Sequence, residues 1–377
     1  MEYHHNIQMS RWQRVKEALS LISLEPVIFL QTFAWGLSSV IGQNLIIEKV
    51  CHDLGYSKTI CDDIDNHDDE DDAVQTRVSE INMYTTILGA LPCMLVALFI
   101  GPWSDRNGRK PVMIIPMLGY VFGTMFLLLN IYNMDWPANY LLINCVFSIF
   151  GGIVVFLIGM YSYIADITSV RARTTRIGVI DIFFYGGVPT GTFLSAYVYK
   201  YSGYYGIYGI TLALQIFIIL YIYFIIKDTR GPHSDFCNPN SEMEVDNRGT
   251  IRRYLSIIDI NQLIDVFRVT FKKREYQLRS IILTLVSLML LNVTIFSDGG
   301  VLYLYARKKF KWDEQMYTKF QTCSIIVAAI ANFVFMPLIS FYLKMHDAAV
   351  GILSTCSKII SLLIMSIAWN GEIQILF

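Results

Sequence analysis

Gly101, Asp105, Arg106, Gly108, Arg109 and Lys110 put one carboxylate and three cations into a single short segment. Side chains of these types at this spacing make charge-assisted, multidentate pairs; they offer neither a nucleophile nor a general base. The glycines permit a turn too tight for side chains, the Asp is placed to accept hydrogen bonds from a helix N-terminus, and the Arg and Lys anchor the segment in the cytosol. Asp181 and Asp298 stand apart because each lies within an apolar stretch, where an ionised carboxylate is costly. Such an acid is suited to taking up a proton on one face of a membrane and releasing it on the other. For Asp181 the alternative is an interfacial acid at a helix N-terminus, held by the macrodipole and by Arg176. Asp298 precedes Gly299 and Gly300, which either open backbone carbonyls toward a cavity or merely kink the helix. Lys358, near the middle of another apolar stretch, is placed to pair with a carboxylate, to snorkel, or to receive an anionic solute. Gln43 and Asn44, with Gln31, Asn144 and Asn332, are neutral polar groups available to orient a solute. No cluster of His, Cys and carboxylate has metal-ligand spacing and no nucleophile stands beside a base, so the sequence reads as neither an enzyme nor a metal or cofactor protein.

The elements that must hold these residues follow from composition. Of 377 residues, 54% are apolar and only 16% charged, with a mean hydropathy of +0.46, whereas soluble chains carry roughly a quarter charged residues. About nine stretches are long enough to cross a hydrocarbon core of roughly 30 Å as helices. They lie at about 25–47, 81–101, 112–131, 139–164, 177–199, 205–226, 280–305, 318–340 and 348–369. Backbone polar groups in lipid must be satisfied within each span, so the fold class is all-α and polytopic. Excess Lys and Arg, including Arg11, Arg14, Lys16, Arg171, Arg173 and Arg176, place the N-terminus inside. Arg307, Lys308, Lys309 and Lys311 are a local exception on the outer side. The domain pattern is a six-helix bundle over 1–226, a cytoplasmic linker over 227–279 and a three-helix part over 280–377, with a surface helix expected at about 254–271. The loop after the first span holds an acidic run from Asp62 to Asp72, expected as a solvated tip, together with Cys51 and Cys61, candidates for a disulfide. Cys93, Cys145, Cys237, Cys323 and Cys356 read as free thiols, and nothing at the start resembles a cleavable signal peptide. A net charge of −1 gives no electrostatic footprint for nucleic acid. The implied partners are a lipid bilayer, protons and a small-molecule solute; the oligomeric state is left open.

The segment from Gly101 to Lys110 fits G-x-x-x-D-R-x-G-R-K between the second and third spans. This resembles the signature loop of the major facilitator superfamily. The resemblance implies two six-helix halves rocking about a central site, with Asp105, Arg106 and Arg109 latching them on the cytoplasmic side. A second stretch, Ala165-Asp166 followed by Arg171, Arg173 and Arg176 and then by Asp181, is similar to solute carrier family 46, the proton-coupled folate transporter family. It implies a cytoplasmic loop carrying Asp166, Arg171, Arg173 and Arg176. It also implies a proton-coupling role at Asp181, where folate-transporting relatives carry Glu. Gly187 and Gly191 in span five form a Gly-x-x-x-Gly pair that lets backbones approach. Departures from the family matter too. No histidine lies in a span, Val293 and Thr294 occupying the place of the family's membrane histidine. Lys311 precedes Trp312 where the family has an outer cysteine, leaving Cys51 to Cys61 as the outer disulfide. The twelve-span pattern further implies three helices beyond Phe377, so a fragment or truncated isoform is expected. Glu17, Leu21 and Ile22 fit an acidic di-leucine sorting pattern, compatible with an endosomal or lysosomal as well as a plasma membrane. The expected function is a secondary active carrier of a small, anionic organic solute coupled to protons; the alternative is a truncated, non-transporting membrane protein.

Overall fold

The computed structural model describes residues 23–61, 68–168, 170–229 and 347–367, with isolated positions between 268 and 331. The chain divides into two compact units, Met1–Leu263 and Ile264–Phe377. The boundary falls inside the stretch expected as a linker. In the second unit, one helix spans Asp347–Ile367 and carries Lys358 on an exposed position. The seventh window with Asp298, most of the eighth with Asn332, the surface helix, Cys237 and the di-leucine segment lie outside the described residues.

The first unit is helical throughout its described length. Helix α1 runs Glu25–Asp53, a short α2 Lys58–Cys61, α3 Asp68–Asn107 and α4 Lys110–Tyr132. A 3-10 helix over Ala138–Phe150 then leads into α5, Gly152–Ile167, and α6 covers Val170–Phe224. Four segments are long and apolar enough to cross a membrane: Ala73–Asp105, Lys110–Tyr132, Ala138–Ile167 and Arg176–Phe224. The last has 49 residues, roughly 73 Å of helix against a hydrocarbon core of roughly 30 Å, so it cannot be a single crossing. It breaks at Gly203, where φ is 58° and ψ −157°, a backbone region glycine enters freely. Packing shows the reversal. Ile180 and the later Ile218, Ile222 and Ile226 all join Leu24 and Val27 at the start of α1, whereas Val198, Tyr199, Tyr204 and Ile207 meet Leu45 near its end. The two windows expected at about 177–199 and 205–226 are therefore the two limbs of α6.

Two expectations are corrected here. The acidic run is not wholly a loose tip: Asp68, Asp69, Glu70, Asp71 and Asp72 form the first turns of α3, where carboxylates are favoured by the helix macrodipole. The segment expected as a cytoplasmic loop is also helical. Asp166 lies in the last turn of α5, which ends at Ile167, and Arg171, Arg173 and Arg176 lie in the first turns of α6, which begins at Val170.

Small residues set the tightest contact in the bundle. A Cβ on Gly187 would lie 2.1 Å from Thr32 Oγ1, one on Gly191 2.2 Å from the Phe33 carbonyl oxygen, and one on Gly36 2.3 Å from the Val188 carbonyl oxygen. The Gly-x-x-x-Gly pair of α6 thus lies directly on the backbone of α1, as its spacing suggests. Large apolar side chains such as Leu91, Met94, Leu95 and Leu98 on α3 and Phe193 and Tyr197 on α6 are exposed, a surface suited to lipid and not to water. Cys51 and Cys61 form a disulfide with Cα atoms 5.8 Å apart.

Gly191→Leu is expected to cost at least about 1–3 kcal/mol through overpacking, read as a lower unfolding midpoint of the purified chain in detergent. Gly186→Ala, whose added Cβ meets no described atom within 4 Å, leaves the midpoint unchanged or raises it. Alkylation without reductant should leave Cys51 and Cys61 unmodified, and Cys61→Ser should cost about 2–4 kcal/mol.

Candidate functional site

Arg109 sits where α3 gives way to α4. Its approach depends on Gly108, which has φ 103° and donates its N–H to the Ser104 carbonyl at 3.0 Å. This left-handed geometry is the turn that the motif's second glycine serves. Gly101 does something else: it is helical within α3 and makes no turn. The Arg109 guanidinium, 7% exposed, then gathers three partners. Nε donates to Asp166 Oδ2 at 3.0 Å, Nη2 to Asp105 Oδ1 at 2.6 Å and Nη1 to Ser104 Oγ at 2.6 Å. Each of its nitrogens has an assigned acceptor, as the planar fork of arginine allows and an ammonium does not. The ends of α3 and α5 are thereby fixed to the start of α4. The side chain of Arg106 is outside the described set.

Asp105 pairs with Arg109, and the acid that caps α4 is Asp228, which the sequence reading missed. It follows α6, and its Oδ1 accepts the backbone N–H of Arg109 at 2.9 Å and, more distantly, that of Lys110 at 3.5 Å. A carboxylate there satisfies free amides and complements the positive end of α4. Lys110 donates to the Tyr223 carbonyl and lies 5.2 Å from the centre of its ring. Thr229 Oγ1 donates to Asp166 Oδ2 at 3.3 Å. An Asp a few residues past an apolar window was the only sequence signal for this third strut.

The two helical arginines diverge. Arg173 donates to the Ala165 carbonyl at 2.9 Å, and Arg176 pairs with Glu25 at 3.1 Å and reaches Ser23 Oγ. Glu25 is 2% exposed and also accepts the N–H groups of Ser23 and Leu24. Arg176 is thus committed to α1 and does not hold Asp181. Asp181 lies eleven positions into α6, well past its first turn, so the helix-terminus reading is corrected. Its Oδ1 accepts the Tyr161 hydroxyl of α5 at 2.9 Å.

A cavity of about 190 Å³ opens between α1, α4, the 3-10 helix and the second limb of α6. Gln31 and Asn144 line it; Gln43 and Asn44 are not among its described lining residues. Gln43 instead accepts a hydrogen bond from Asn82 at 3.0 Å. The wall is interrupted at Gly151 and Gly152, with φ 95° and 50°. There the thiol of Cys93 donates to the Gly151 carbonyl at 2.9 Å, a second donor beside the Val155 N–H, which reaches the same oxygen at 3.1 Å.

At the opposite end of the bundle from Arg109, Lys49 is 1% exposed and lies beyond the first apolar window. Its ammonium donates to the carbonyls of Asn133 and Trp136 at 3.2 and 3.4 Å. Burial lowers its pKa below the usual lysine value, opposed by the charges of Asp135 and Asp53. Beside it, Tyr204 donates to Glu48 at 2.7 Å.

Residues 25–375 match the family model described as Major Facilitator Superfamily. The chain belongs to that superfamily. It is accordingly an all-α, integral multi-pass membrane protein. It is 26% identical over 350 residues to a probable peptidoglycan muropeptide transporter, SLC46, of Drosophila melanogaster, covering 88% of this chain and 63% of the relative. A lysosomal proton-coupled steroid conjugate and bile acid symporter, SLC46A3, of Gallus gallus is 32% identical over 222 residues, covering 55% of this chain and 47% of the relative. The proton-coupled folate transporter of Bos taurus is 25% identical over 210 residues, with 55% and 46% covered. The chain thus spans between about half and two thirds of the length of these relatives.

Two outcomes are expected at the polar ends. Because Asp166 is largely buried and Asp105 is 52% exposed, Arg109→Ala should cost about 3–5 kcal/mol by taking the guanidinium from the buried Asp166 carboxylate, and Asp105→Asn at most about 1 kcal/mol. Unfolding midpoints of the purified variants give the ranking. A depressed lysine pKa means that the unfolded chain binds more protons between the native value and 10.5, so stability rises with pH across that window. Lys49→Met should abolish this slope in unfolding scans at alkaline pH.

Proposed function

We propose that this protein is a secondary active carrier that moves a small organic anion across a membrane by alternating access, driven by a proton gradient. The observation that supports it most directly is Asp181, a carboxyl in the body of a spanning helix with a tyrosine hydroxyl at 2.9 Å, within a chain of the Major Facilitator Superfamily. Charging such a group where water is scarce is costly. Whether it carries a proton therefore changes the relative cost of states that expose it to water or enclose it. Tyr161 is the positioning residue in this scheme, since its hydroxyl fixes the carboxyl and can follow it through either protonation state. The relatives that couple a solute to protons, by their names, support the same driver.

The Arg109 cluster is the gate in this reading. It ties α3, α4, α5 and the end of α6 into one body, so that the first unit moves as a block, with Asp105, the more exposed acid of the Arg109 pairs, as the latch residue. Asp298 and Lys358 are the second unit's candidates for proton and anion binding. The solute falls among the classes its relatives handle, muropeptides and steroid conjugates being the first to try. Folate is disfavoured by the absence of a histidine from the spans.

Uptake of labelled muropeptide and steroid sulfate into cells expressing the complete gene should rise several-fold at pH 5.5 relative to pH 7.4. Asp181→Asn should remove the acid stimulation, and Tyr161→Phe should shift its pH profile while preserving some uptake. Uptake indifferent to pH, or acid stimulation surviving in Asp181→Asn, would overturn the coupling role.

A further inference from the structure

The 3-10 helix over Ala138–Phe150 has 13 residues, long for a form whose runs rarely exceed about four because its hydrogen bonds are poorer than those of an α-helix. Its ends are closed by the Tyr140 N–H on the Pro137 carbonyl at 2.9 Å and the Gly151 N–H on the Ser148 carbonyl at 2.8 Å. The neighbour that matches it is α3. Arg77 donates to Asn139 Oδ1 at 3.0 Å, and Ile81 and Leu142 share one apolar cluster. The Cys145 thiol donates to the Thr85 carbonyl at 3.5 Å, a Cβ on Gly89 would stand 3.6 Å from Ser148 Oγ, and the Cys93 thiol reaches the Gly151 carbonyl. These partners advance by four residues on α3 and by three on the 3-10 helix. Four residues rising about 1.5 Å each and three rising about 2.0 Å each both come to about 6 Å, so the rows mesh along about 24 Å only while residues 138–150 are 3-10. The face toward α4 keeps the same spacing. Asn144 and Phe150 meet α4 at its glycines, where a Cβ on Gly123 would lie 2.9 Å from Asn144 Oδ1 and one on Gly119 2.7 Å from Phe150 Cβ, with Phe147 between them.

We propose that residues 138–150 form a two-state element: a 3-10 helix held extended by α3, which shortens to an α-helix when it disengages. The proposal goes beyond the carrier reading and does not depend on the solute or on protons. With Gly151 kept against Cys93, the α form is shorter by about 6 Å over the twelve residues from Asn139, which is one step of the α3 row. Its own four-residue row then sets Phe147 against Gly89, Ile143 against Thr85 and Asn139 against Ile81. A slide by one step between two packed elements gives two discrete arrangements, not a continuum. The pivot is suited to it, because Gly151 and Gly152 hold φ at 95° and 50°, where glycine turns freely. The outer end is tethered, since Lys49 holds the carbonyls of Asn133 and Trp136 just before the helix and Arg77 holds Asn139. Rewinding turns Asn144 by roughly 140° and Phe147 by roughly 80° about the helix axis, as each residue advances about 100° instead of about 120°. Both side chains line the cavity, so the change of helix type reshapes that wall.

Disulfide trapping reads the two registers. The full chain, with Cys237, Cys323 and Cys356 replaced by serine, is placed in phosphatidylcholine nanodiscs and oxidised with copper phenanthroline, and cross-linked peptides are quantified by mass spectrometry. Thr85→Cys should cross-link to Cys145, reporting the extended form. Thr85→Cys with Ile143→Cys and Cys145→Ser reports the shortened form, and should cross-link several-fold faster than the off-register set Thr85→Cys, Val146→Cys and Cys145→Ser. Arg77→Ala, which removes the outer tether, should speed the Ile143 cross-link about two- to tenfold, as expected for one lost hydrogen bond, without speeding that of Cys145. Ile81→Cys paired with Leu142→Cys for the extended form, or with Asn139→Cys for the shortened one, repeats the comparison away from Thr85 and decides the matter if the Thr85 variants fold poorly. An Ile143 cross-link no faster than the off-register set, or one indifferent to Arg77→Ala, would overturn the switch. Failure of the Cys145 cross-link in the folded chain would overturn the extended register itself.

Discussion

Hydrocarbon offers no hydrogen bonds, and every irregularity in this bundle is arranged around that fact. The span built from the 3-10 helix and α5 breaks at Gly151, whose carbonyl accepts both the Val155 N–H and the Cys93 thiol. Serine and threonine within the spans fold their hydroxyls back onto carbonyls a turn earlier, as Thr32, Ser38 and Thr211 do. Where α6 must approach α1 closely, glycine replaces side chains, because lipid supplies no hydrophobic drive to press helices together and close backbone packing must do so. Against this background three buried carboxamide oxygens, of Gln31, Asn130 and Asn144, have no partner among the described residues.

The same constraint explains why charge collects at the two ends. Arg109 is buried, yet each guanidinium nitrogen has an acceptor, and the acids it meets arrive from α3 and α5. Removing water from an ion pair is repaid only when its geometry is complete, and here it is completed by a serine hydroxyl and by backbone amides capped by Asp228. The cluster is less a set of independent salt bridges than one joint, with the Asp105 carboxylate as its more exposed acid and that of Asp166 as its buried one.

Much of this architecture was legible in the chain itself. Apolar windows anticipated the long helices of the first unit, four segments of which are long and apolar enough to cross a membrane, since span length follows from bilayer thickness, and the Gly187 and Gly191 spacing anticipated the close contact. The disulfide was legible because two cysteines share one short polar loop. The errors were of two kinds. Charged residues read as loop proved helical, in Asp68–Asp72 and in Arg171–Arg176, because helix ends tolerate charge once they leave the hydrocarbon and hydropathy does not register where the helix stops. Side-chain partners were the second. Arg176 was assigned to Asp181 by proximity in sequence, but it faces α1 and Glu25, while Asp181 is turned toward Tyr161 on α5. Asp228 was missed for the same reason: it joins Arg109 across more than a hundred residues, a distance over which no local pattern carries information.

The division of labour inside the first unit follows from these placements. Asp181 and Tyr161 sit on α6 and α5, whereas the cavity is walled by α1, α4, the 3-10 helix, Gly152 and the second limb of α6. Among the described residues its lining is polar and apolar without charge. The acid and the cavity share α6 and its contact with α1: the first limb of α6 carries Asp181 and lies on α1 through Gly187 and Gly191, and Gln31 stands on α1 next to Thr32, the side chain that Gly187 meets. In the proton-coupled reading proposed above, a change at Asp181 reaches the cavity through that glycine contact, because an interface with no room for a side chain transmits displacement instead of absorbing it.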